Sequence, residues 1–110
     1  MNQAFLQQEL AVHLARRLQD PHWLAITLSE LGKTYLANHQ YEVAADYIAQ
    51  ASEIAQTQPF GPLSAALQND LGIVLALQGR LEEALEAFHR SAIRAKQEGL
   101  IPLFIRARVN

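Results

Sequence analysis

Four histidines, His13, His22, His39 and His89, carry the side chains best suited to bind a transition metal or to move a proton near neutral pH. On a helix, two metal-binding imidazoles stand four residues apart so that both reach one ion, and no two of these histidines are so spaced. The serines and aspartates come without a nucleophile elbow, a glycine-rich phosphate loop or a paired-carboxylate spacing. Cysteine is absent, which removes disulfides, thiolate zinc sites and cysteine nucleophiles. The expectation is a chain with no catalytic residue, no metal ligand and no cofactor, its histidines serving surfaces and turns.

Composition narrows the classes further. A length of 110 residues suits one domain or part of one, and 50% hydrophobic with 18% charged residues lets the chain bury a core. The formal charge of -2 creates no field that would gather a polyanion, so nucleic acid is not the expected partner. Arg80, Arg90, Arg94, Lys96, Arg106 and Arg108 cluster late, but Glu82, Glu83, Glu86 and Glu98 lie among them and make a mixed solvated face. Gln7, Gln8 and Glu9 interrupt the apolar run that a signal peptide would need, and no stretch reaches about 18 apolar residues. A cytoplasmic protein without membrane contact is expected.

The elements that must carry any function are visible by internal comparison. An offset of forty residues superposes Ala25 on Ala65, Leu31 on Leu71, Gly32 on Gly72, Glu42 on Glu82, Ala44 on Ala84 and Ala55 on Ala95. The opposite offset places Ala4 on Ala44, Ala11 on Ala51 and Ala15 on Ala55. Pro62 likewise falls on Pro102, and Trp23, Leu63 and Leu103 coincide. The expected organisation is a half unit over 2–19, full units over 22–58 and 62–98, and the opening of another over 101–110.

Each unit divides into two helices. Ala25, Leu28, Leu31 and Tyr35 recur at three- and four-residue steps and give the first helix one apolar stripe. Asn38-His39-Gln40 and Gln78-Gly79-Arg80 break the pattern; Gly79 suits a left-handed residue closing a helix, and His39 would hold the same slot under more strain. The second helix carries Tyr41, Ala44, Ile48, Ala51 and Ala55, or Leu81, Ala84, Phe88 and Ala95. Asp20-Pro21, Pro59-Phe60-Gly61-Pro62 and Gly99 to Pro102 separate the units with helix stops and starts. Trp23 reads as a staple between units, and Glu86 with Arg90 as an exposed pair four residues apart.

These units resemble the tetratricopeptide repeat, W-x2-L-G-x2-Y followed by A-x3-F. The first reads Leu28-x2-Leu31-Gly32-x2-Tyr35 with Ala44-x3-Ile48, and the second Gln68-x2-Leu71-Gly72-x2-Leu75 with Ala84-x3-Phe88. The tryptophan and the closing proline are missing. The period is forty where about thirty-four is usual, as in the long-period branch of that family. Six more residues at about 1.5 Å each give every helix nearly one extra turn.

The resemblance implies an all-α, right-handed solenoid of antiparallel helix pairs with five to six helices, acting as a non-catalytic scaffold for a protein or peptide within a larger signalling or adaptor protein. Carried onto this sequence, the family's groove positions are Ser29, Glu30 and Lys33, then Asn69, Asp70 and Ile73, with Arg106, Val109 and Asn110 continuing the row. Glu30 and Asp70 would make that groove partly acidic and suited to a basic or amide-rich ligand. Lys33 with Asn69 is only a fragment of the family's carboxylate clamp. A second expectation follows from the partial units at each end: the tail of one chain could complete the head of another and drive homo-oligomerisation. Leu100, Ile101, Leu103, Phe104, Ile105 and Val109 supply apolar surface for it.

Overall fold

A computed structural model of the chain describes residues 3–99, with side chains from Phe5 onward. The expected continuation over 101–110, including Arg106, Val109 and Asn110, lies outside the described residues. Within them the chain is all-helical: α1 Gln3–Leu18, α2 Pro21–Ala37, α3 Tyr41–Gln56, α4 Gly61–Leu77 and α5 Leu81–Gln97. The period of forty recurs in the helix bounds. Both α2 and α4 run 17 residues from starts forty apart, and Tyr41 and Leu81 open α3 and α5.

Local chemistry explains where the helices start and stop. Asp20 caps α2, its Oδ1 accepting from the Trp23 amide at 3.0 Å, and Pro21 follows in the first turn where no amide donor is needed. At the other ends, Gln19, His39, Gly79 and Gly99 take φ of 53°, 63°, 79° and 73°. The residue after the left-handed one then bonds back across the last turn: Asp20 N to Ala15 O, Gln40 N to Tyr35 O, and Arg80 N to Leu75 O. His39 does hold the slot of Gly79, as the spacing predicts. Its Nδ1 lies 3.0 Å from the Tyr41 hydroxyl. Arg80 also grips Glu83 in the first turn of α5 and holds that carboxyl below the usual glutamate range.

Packing is strongest between consecutive helices. Alternate helices touch more lightly, α1 to α3 through Arg16 and Gln50 at 3.1 Å and α2 to α4 through Lys33 and Asp70. This pattern is compatible with an α-solenoid. The main core gathers Phe5, Val12, Ala25, Leu28, Leu31, Ala51, Ala55 and Leu67, and smaller clusters centre on Ala44, Ala45 and Val74 and on Leu75, Ala84 and Ala87. Tyr35 joins three helices, meeting the Phe5 ring edge-on at 4.8 Å and stacking on Tyr47 at 5.5 Å.

The two repeated glycines permit the closest approaches. A Cβ on Gly32 would stand 2.7 Å from Ile48 Cγ1 and 3.2 Å from the Ala44 carbonyl oxygen; on Gly72 it would stand 2.6 Å from the Phe88 ring. Ile48 and Phe88 occupy matching positions in the two units, so each glycine receives the large residue of its own second helix. Helix pairing here depends on the missing side chain.

Candidate functional site

Helices α2 and α4 each bury one side and present the other. On α2, Trp23, Ile26, Glu30, Lys33 and Ala37 follow steps of three and four and lie on the face opposite the buried Ala25, Leu28 and Leu31. On α4, Ala66, Asn69, Asp70, Ile73 and Leu77 form the matching face. The two faces adjoin, because Lys33 Nζ lies 3.4 Å from Asp70 Oδ2. With the Lys33 side chain 56% exposed, that ion pair contributes at most about 1 kcal/mol, and its importance is positional.

Most of the residues expected in a groove meet here. Glu30, Lys33, Asn69 and Ile73 are exposed and Asp70 is half-buried. Glu30 has no ionic partner among the described residues, whereas Asp70 is already balanced by Lys33. The strip is therefore only weakly acidic. Ser29 is the exception to the expected row: it is 5% exposed, on the flank of α2, and its hydroxyl donates to the Ile26 carbonyl at 3.1 Å. A side chain so placed is closed to a ligand, and its local back-bond satisfies the buried hydroxyl.

The structure adds Trp23 and Leu77 to the expected Ile73 on these faces. Trp23 is 37% exposed and opens the exposed row of α2. Ile73 and Leu77, four residues apart, are 41% and 51% exposed on the same face of α4. The signal for Leu77 was present as one more step of four beyond Ile73. On the α1 side, the Thr34 hydroxyl donates to Gln8 Oε1 at 2.7 Å, and Gln8, Glu30, Lys33, Thr34, Ala37 and Asn38 line an open depression of about 460 Å³.

The resulting surface mixes exposed apolar atoms with charges of both signs. Such a surface favours an amphipathic segment, the apolar residues supplying area and the charges orientation. The histidines sit elsewhere: His22 meets the Phe60 ring edge-on at 4.8 Å, His39 is bound to Tyr41, and His13 and His89 are exposed. No group of three His, Cys, Asp or Glu suited to a metal ion occurs among the described residues, and none of their helices is long and apolar enough to cross a membrane. Compared with family models, curated proteins and solved structures, the chain matches none of them.

Proposed function

We propose that this chain is a non-catalytic scaffold of the tetratricopeptide type, a right-handed solenoid that holds a protein or peptide along the joined faces of α2 and α4. The observation that carries the reading is the exposed strip itself. Ile73, Leu77 and part of Trp23 stay uncovered beside Glu30 and the Lys33 and Asp70 pair. Support for the repeat type comes from the forty-residue recurrence of helix bounds and from the matched seats of Ile48 on Gly32 and Phe88 on Gly72.

The test is selection of peptides on the whole chain from a random library, followed by affinity measurement on a face variant and a control. Trp23→Ala, Ile73→Ser and Leu77→Ser combined are expected to weaken selected peptides at least about tenfold, equivalent to about 1.4 kcal/mol. A control substitution at exposed Glu53 on α3 should leave them unchanged. Peptides that bind the face variant as tightly as the parent would place the site elsewhere. Glu30→Lys should weaken basic peptides more than Asp70→Lys does, because Asp70 is already paired.

A second reading is self-association, favoured by one feature of α1. Leu6, Leu10, Leu14 and Leu18 stand four apart and are 59%, 58%, 47% and 59% exposed. The stripe is self-complementary: an antiparallel pair of α1 helices sets Leu6 against Leu18 and Leu10 against Leu14 of a second copy, with Glu9 near Arg16. Light scattering across concentration should then show a dimer that Leu10→Glu with Leu14→Glu converts to monomer. A parent chain that stays monomeric at every concentration excludes this reading.

A further inference from the structure

Between the C-terminal ends of α3 and α5 and the first half of α4 lies a cavity of about 250 Å³, away from the strip described above. It is several times the roughly 30 Å³ that one water occupies in the liquid, enough for a group the size of a side chain. Its floor is made by Ser64 and Gln68, 1% and 3% exposed. In the first unit the matching positions, forty residues earlier, are Leu24 and Leu28, which pack into the main core. The second unit has exchanged two core leucines for polar residues.

That exchange leaves hydrogen-bonding groups unused. The Gln68 amide donates Nε2 to Ser52 Oγ at 2.7 Å, and Gln56 Nε2 approaches the same oxygen at 3.3 Å, so Gln68 Oε1 is left as a buried acceptor without a donor. Among the described residues Ser64 Oγ has no partner, and Arg94 Nε–H, on the α5 wall, makes no hydrogen bond. The charges nearby are already balanced: Arg94 Nε lies 3.4 Å from Glu98 Oε1, an ion pair whose N–H is too poorly aligned for a hydrogen bond and stays open to a better-placed acceptor, and Arg90 is paired with Glu86. Glu98 itself is seated against Gly61, where any side chain would collide with it. What remains to be satisfied is one acceptor, the N–H of a guanidinium whose charge Glu98 already balances, and a hydroxyl able to act as either donor or acceptor.

The geometry points to a binding site for a primary carboxamide, with its NH2 donating to Gln68 Oε1 and its carbonyl accepting from Arg94 Nε–H. A carboxylate of the same shape offers no donor for Gln68 Oε1 and meets no unbalanced cation. The carboxamide could be borne by a Gln or Asn side chain of a peptide or by a small free amide. This site is independent of the α2 and α4 strip, and the two stand or fall separately.

The experiment is a 15N-edited NMR titration of the full chain with four probes: propionamide, propionate, and blocked Ala-Gln-Ala and Ala-Glu-Ala peptides. Saturable shifts of the Gln68 amide and Arg94 Nε–H signals are expected with propionamide and Ala-Gln-Ala and not with the two acids. Shifts with Ala-Gln-Ala alone would identify the source as a peptide. Equal shifts with the acids, or none with any probe, overturn the assignment. Ser64→Leu with Gln68→Leu, which restores the residues of the first unit, should keep the helical circular dichroism and lose the response. If that variant does not fold, Arg94→Met, which removes the N–H donor and keeps an unbranched side chain, serves in its place. A response surviving in either folded variant overturns the site.

Discussion

At the scale of single residues, the tightest constraint is the glycine under Ile48. Alanine is the better helix former by about 1 kcal/mol, yet overpacking a filled site costs about 1–3 kcal/mol. Ile48 is fully buried and the Ala44 carbonyl is backbone, so neither can move away cheaply. Gly32→Ala should therefore lower the urea midpoint, against its helix propensity, and Gly32→Leu should lower it further. An unchanged or raised midpoint for Gly32→Ala would contradict the observed packing. The importance of this glycine was legible from its recurrence at Gly72. The burial of Ser29 was not, because a flank position on a helix is closed only by the neighbour it happens to meet.

At the scale of elements, positions 19, 39, 59, 79 and 99 are twenty residues apart, and four of them close a helix in the left-handed region. The fifth is Pro59, whose ring holds φ near about -65° and forbids that conformation. The α3 to α4 link is closed differently, with Phe60 N bonding to Gln58 O at 2.8 Å. Gln19 holds a left-handed φ at an exposed site, and its side chain makes no hydrogen bond among the described residues. Gln19→Gly should accordingly raise stability by about 0.5–1 kcal/mol, measured by thermal or urea unfolding. Loss of stability would mean that the Gln19 side chain contributes something its backbone strain conceals. Helix order, breakers and the strained His39 turn could be read from periodicity and turn chemistry. The meeting of Lys33 with Asp70 could not, since it depends on how closely α2 and α4 approach.

At the scale of the whole molecule, substantial packing among the described residues links consecutive helices, so contacts form between segments close in sequence. Topologies of this kind fold on the microsecond to millisecond scale, because little loop entropy is lost before contacts reward it. The main refolding phase should be single-exponential and complete within about milliseconds in temperature-jump or rapid-mixing experiments. A dominant phase of seconds would require long-range ordering that this architecture lacks. The polar floor at Ser64 and Gln68 was legible only by setting the two units side by side, where leucine at both earlier positions exposes the exchange.

The light contacts between alternate helices have a mechanical consequence. Arg16 with Gln50 ties α1 to α3 on one surface and Lys33 with Asp70 ties α2 to α4 on the other, while the apolar seam lies between the two rows. A slab bonded firmly along its middle and weakly at both surfaces bends easily, one surface lengthening as the other shortens. Salt that screens Lys33 from Asp70 should soften the even-numbered surface more than the other row, where the Arg16 guanidinium meets an uncharged amide oxygen and no second ion.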